Sequence, residues 1–135
     1  MSKSAIYTLN TASQATVAAG TTISVGGIVR RFGCNCDISG NGIVIRGTGY
    51  YEVEATVTVA PTAAGTVTVQ LYKDGAAVTG ASATATTSAA TQSVTLPVIA
   101  MIRETCCCDS TSVLTFGVSG ADATVSLISA IVDKI

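Results

Sequence analysis

The richest chemistry in this chain lies in five cysteines that fall into two groups: Cys34 and Cys36, one residue apart, and the triplet Cys106, Cys107 and Cys108. Thiolates bind zinc as four ligands at about 2.3 Å. Neighbouring residues on extended backbone point to opposite sides, so at most two of the triplet could serve one ion, and the two groups would have to meet in space. No metal is assigned on that basis. Two other readings stay open: a disulfide between the groups, formed once the protein reaches oxidising surroundings, and free thiols in loops. An odd number of cysteines leaves at least one thiol unpaired in each chain or shared between chains.

The remaining polar candidates are sparser. Glu52 and Glu54 fall on one face of an extended segment, and paired carboxylates invite acid–base chemistry. No histidine exists to complete such a site, and a solvated strand face is the reading adopted. Asp74, Asp109 and Asp122 stand in expected turns, where aspartate is ordinary and where calcium would require several oxygen ligands together. Arg30 and Arg31 form the one basic pair; they could pair with acids of a neighbouring subunit or of a capsid surface, but the default reading is charges that keep an edge strand soluble. Tyr7, Tyr50, Tyr51 and Tyr72 could offer a sugar-stacking patch, but core or rim packing is the default for tyrosine at strand ends. Neither a catalytic residue nor a cofactor is implied, and the expectation is a protein that is not an enzyme.

Positioning these side chains falls to β-strands. Between Gly49 and Val59, Tyr51, Val53, Ala55, Val57 and Val59 alternate with Glu52, Glu54, Thr56 and Thr58, which predicts a long half-buried strand with one apolar face. Further strands are expected at Ala5 to Leu9, Ile28 to Phe32, Thr66 to Tyr72, Ala77 to Thr87, Gln92 to Glu104, Ser112 to Val118 and Ala123 to Val132. Ser39-Gly40-Asn41-Gly42, with Asn-Gly between apolar runs, predicts a tight hairpin, and Lys73-Asp74-Gly75-Ala76 predicts another. Pro97 puts its strand at an edge, a bulge or a bend. The closing strand has apolar residues on both parities, so Val125, Leu127, Ile128, Ala130 and Val132 are expected to need a second covering from a neighbouring copy.

Composition bounds the rest. The 135 residues suit one domain spanning 1–135. Only 11% are charged, with a net charge of -1, against roughly a quarter in ordinary soluble domains. A surface that poor in charge is expected to be covered in part by other copies. Without a basic cluster, nucleic acid is not an expected partner. Neither a secretion signal nor an apolar run near the ~20 residues of a membrane helix is evident, so residence in the cytoplasm is expected unless the protein leaves within a particle.

Three stretches carry a resemblance: Gly49-Tyr50-Tyr51 opening the long strand, Val67 to Gly75 ending in Leu-Tyr-Lys-Asp-Gly, and Thr124 to Ile135 with Val-Ser-Leu-Ile-Ser-Ala-Ile-Val. With about ten short strands, the chain resembles the jelly-roll domains of the C1q and tumour-necrosis-factor superfamily. It is similar above all to the small jelly-roll proteins of tailed bacteriophages, described as head decoration or fibre proteins. The resemblance implies an all-β, two-sheet antiparallel sandwich and a homotrimer with one sheet of each subunit facing the threefold axis. It also implies a virion location, with assembly in a bacterial cytoplasm alongside other capsid proteins. A module that binds carbohydrate on a host surface is the alternative function for the same fold.

Overall fold

A computed structural model describes residues 4–12, 14–17, 21–89, 92–104 and 111–135, with the side chains of 15–17 left aside. In chain order its strands are β1 (Ala5–Asn10), β2 (Gln14–Val17), β3 (Thr22–Ile23), β4 (Gly27–Phe32), β5 (Cys36–Ser39), β6 (Gly42–Arg46), β7 (Gly49–Pro61), β8 (Gly65–Lys73), β9 (Ala76–Thr87), β10 (Val94–Glu104), β11 (Thr111–Ser119) and β12 (Ala123–Lys134). They form two antiparallel sheets. The first runs β10-β7-β12-β1-β4, with β2 also pairing β12; the second runs β5-β6-β11-β8-β9, with β3 also pairing β11. The expected all-β, two-sheet sandwich is what the chain builds.

The period-two pattern of β7 decides the layering. Tyr51, Val53, Ala55, Val57 and Val59 are buried, while the residues between them are exposed or half-buried. Their inward face meets Val67, Val69 and Leu71 of β8, Leu114, Phe116 and Val118 of β11, and Ile43 and Ile45 of β6 in one continuous core. Each such side chain, fully removed from water, contributes roughly 1.5–3 kcal/mol.

Both hairpin turns form, with different backbone chemistry. Asp74 and Gly75 both have positive φ, 51° and 83°, as a two-residue turn between Lys73 and Ala76 of the type I′ class requires. In the other, Ser39 pairs with Gly42, so the central residues are Gly40 and Asn41. There only Gly40 has positive φ, at 58°. The turn therefore sits one residue earlier than the Asn-Gly signal placed it and needs glycine at its first central position.

Pro97 lies on β10, the outermost strand of its sheet, opposite Thr56 of β7. An edge strand has one open side, where a missing N–H costs no ladder bond.

The closing strand departs from expectation. Val125 pairs with Val59 and Leu127 with Thr58, so Ser126 is an extra residue bulged out of the ladder. A bulge switches which parity faces inward: Ala123 and Val125 are buried before it, and Ile128, Ala130 and Val132 after it. Ala123, Val125, Ile128, Ala130 and Val132 are thus two runs on one face, while Leu127 and Ile131 stand on the other. Val125, Ile128 and Val132 are 0% exposed and Ala130 1%, which removes these four from any subunit interface. Of the five residues expected there, Leu127 alone turns to the outer face, opposite Thr58. The bulge falls where β12 changes partner, from β2 at Ala123 and Val125 to β1 from Ile128 onward.

Candidate assembly interface

Opposed residues in paired strands share a face, so the ladder registers lay out the outward surface of the first sheet in rows. One row reads Met101, Glu52, Asp133, Ala5 and Phe32 from β10 to β4; the next reads Ile99, Glu54, Ile131, Tyr7 and Arg30; a third reads Pro97, Thr56, Ser129 and Leu9. Large apolar groups stand open here: Ile99 is 66% exposed, Met101 62%, Phe32 59% and Ile131 42%. Tyr7, Glu54, Thr56, Pro97, Ile99 and Ile131 are among the residues lining a shallow groove of about 260 Å³ across the middle of this face. Contiguous exposed apolar surface framed by polar groups is characteristic of an interaction site.

Both outer faces carry paired hydroxyls, on the first sheet Thr56 with Ser129 at 2.9 Å and Thr58 with Thr95 at 3.0 Å, but among the described residues the second sheet's outer face has no large exposed apolar side chain. Thr66 and Thr86 share a hydroxyl hydrogen bond of 3.1 Å, and Thr68 and Thr84 one of 2.9 Å. Paired hydroxyls that also meet water suit a solvent-facing surface. The two sides of the sandwich are thus chemically unequal.

Within the apolar face, Glu52, Glu54 and Asp133 gather. A hydrogen bond with Glu54, partial loss of water and the negative charges of Glu54 and Asp133 hold the Glu52 carboxyl above its usual range. Arg103, on the same face, lies 5.7 Å from the ring centroid of Tyr50 in a cation–π contact.

Strand β4 is exposed along its whole length. Its two arginines part company. Arg31 reaches across the sandwich edge to Asp37 of β5 at 2.8 Å. The backbone N–H of Ile38, followed by Arg31, holds that aspartate below the usual carboxylate range. Arg30 shares the open face with Tyr7.

The cysteines do not form a described cluster. Cys34 is an exposed free thiol and Cys36 a buried one. Burial first, then the charge of Asp133, pushes the Cys36 thiol up to about 11, so it stays protonated and unreactive near neutral pH. Cys106, Cys107, Cys108 and Asp109 lie outside the described residues. Asp74 is a turn residue whose carboxylate accepts from the Val113 N–H at 2.9 Å, and the Asp122 carbonyl accepts from the Thr62 N–H at 3.0 Å.

The four tyrosines are dispersed. Tyr51 is fully buried, with its hydroxyl donating to the carbonyls of Arg46 at 2.5 Å and Gly47 at 3.0 Å. Tyr7 and Tyr50 belong to the first sheet and Tyr72 to the second. Glu104 is 5% exposed with Lys73 at 3.6 Å. Ile99 and Met101 were missed as site residues, although their signal was present: with Leu96 and Val98, they make β10 apolar on both parities.

No family model matches the sequence, nor does any curated relative. The fold does match solved structures. The globular domain of zebrafish complement 1qA protein aligns at a TM-score of 0.65 with 8% identity, over 93% of this chain and 94% of that one. Eiger TNF from S. frugiperda aligns at 0.69 with 12% identity, over 98% and 91%. The phage PRD1 vertex protein P5 aligns at 0.60 with 19% identity, over 98% and 96%. The chain therefore has the C1q/TNF-like jelly-roll fold.

Proposed function

We propose that this chain is a non-enzymatic virion protein of a tailed phage or prophage, a homotrimeric jelly roll that decorates the capsid or forms the head of a fibre. The observation that carries the reading is the open apolar face of the first sheet, with Ile99 at 66% and Met101 at 62% exposure. Lone surface apolar groups are common, but a contiguous set over a groove in a chain with 11% charged residues favours burial against copies of itself. The assembly surface thus shifts from the core residues of β12 to Ile99, Met101, Ile131, Tyr7 and Leu127. Likeness of fold to a phage vertex protein supports a place in the virion, put together in the bacterial cytoplasm with other capsid proteins. A trimer presents three equal copies of any capsid-binding surface, which turns weak contacts into avid ones.

Light scattering at micromolar concentration is expected to give the mass of three copies. Ile99→Lys combined with Met101→Lys is expected to reduce it to one while leaving the thermal unfolding of the subunit cooperative. A wild-type mass of one copy would end the assembly reading. For the virion role, proteomic analysis of purified particles from a lysogen carrying the gene should find the protein at stoichiometric abundance; its absence would overturn that role.

A further inference from the structure

We propose that the two margins of the open face are partners in different copies, with Arg30 of one copy closing on Glu52 and Glu54 of the next; this rests on the assembly reading above. The reasoning begins with a charge mismatch. Glu52, Glu54 and Asp133 sit together on a face whose other exposed groups are largely apolar. Burying carboxylates against a neighbour without a cation would be strongly unfavourable, because their hydration is lost and nothing replaces it. Among the described residues, the two ion pairs are Arg31 with Asp37 and Lys73 with Glu104, and neither involves these acids.

Among the described residues, two cations share the face. Arg103 is engaged over Tyr50. Arg30 is in the same row as Glu54 but three strands away, with β12 and β1 between them. At about 4.8 Å per strand that is ~14 Å between backbones, near the limit that two fully extended side chains could bridge, and within the subunit no ion pair joins them. A neighbouring copy can bring the two groups together without that strain.

The apolar groups divide in the same way. Ile99 and Met101 stand on the acidic margin, while Phe32, 59% exposed, stands on the same face as Arg30 on the other, with Val29, 48% exposed, at the register shift next to it. One margin is apolar and anionic, the other apolar and cationic, and both belong to one sheet. Complementary patches at separate places on one molecule make a head-to-tail contact, which closes into a ring when the rotation allows. Arginine suits the task, since its planar fork can engage one or both carboxylates.

Charge reversal with sedimentation analysis tests the proposal. Arg30→Glu and Glu54→Arg are each expected to weaken trimer assembly on the order of 10-fold or more, and the double reversal to recover most of the loss. Arg30→Gln, which keeps an exposed polar side chain, is expected to show a smaller loss and a flatter dependence on salt. Circular dichroism melts should show all variants folded. Single reversals that assemble like wild type, or a double reversal no better than the worse single, would overturn the pairing while a wild-type mass of three copies leaves the parent reading standing. A wild-type mass of two copies would overturn the ring, and a mass of one would overturn both.

Discussion

Cys36 and Cys34 show how far the meaning of a residue depends on two positions of backbone. Both belong to one tight turn, yet Cys36 opens β5 facing the core and Cys34 faces water. A variant with Cys106, Cys107 and Cys108 replaced by serine is expected to give one reactive thiol per chain natively and two in denaturant. A colorimetric thiol assay reads the count directly. The sign of the pH effect follows from the same burial. With the folded thiol raised to about 11 from 9.0, the unfolded chain releases its proton first as pH rises. The contribution of Cys36 to stability is therefore complete below pH ~9 and declines as pH climbs toward 11. The sequence displayed five cysteines, but nothing in their spacing could say which would be shielded.

Phe116 makes a second argument at this scale. It is fully buried in β11, opposite Ile23 of β3 and Leu71 of β8. Phe116→Ala is expected to destabilise the subunit by roughly 3–5 kcal/mol, from lost transfer energy and an unfilled cavity. Urea unfolding measures the difference through the shift in midpoint.

Among the elements, β12 is the instructive one. Deleting a residue from a core strand ordinarily sends every later side chain to the wrong face. Ser126, however, is already surplus: Val125 pairs with Val59 and Leu127 with the adjacent Thr58. Removing Ser126 leaves each of those pairings intact, so the deletion is expected to fold with a loss of ~0.5–3 kcal/mol. Removing Ser129, a paired residue, is expected to prevent folding. Circular dichroism and cooperative thermal melts distinguish the two outcomes. β7 was legible from its alternation because its ladder with β12 and β10 holds the strand to a strict period of two over the buried stretch. β12 misled in part because its bulge makes two runs on one face look, in sequence, like apolar residues on both parities; Leu127 and Ile131 are the apolar residues that do face out. β10 is apolar on both faces without a bulge, with Leu96, Val98 and Ile102 inside and Ile99 and Met101 outside.

For the whole molecule, the order of strands in space scarcely follows their order in the chain. β1 pairs with β12, and β7 stands between β10 and β12. Neither sheet can form until distant segments meet, and the loop-closure entropy must be met before those contacts form. Refolding of the subunit is therefore expected in roughly the millisecond-to-second range rather than in microseconds, as stopped-flow fluorescence of the tyrosines would show. The same topology creates the assembly face. Ile99, Glu54, Ile131, Tyr7 and Arg30 come from five separate strands and form one row only because those strands lie side by side.

The amino-acid order alone determined that this chain is a β protein. Alternation, turn residues and the scarcity of charge act locally, through the steric demands of the pleat and the preference of apolar groups for shelter. Tertiary structure decided which of two apolar parities faces out and which charges share a surface. Both depend on one surplus residue in a ladder and on strand neighbours far apart in the chain. The face offered to other molecules is set by register, and register exists only once the strands have paired.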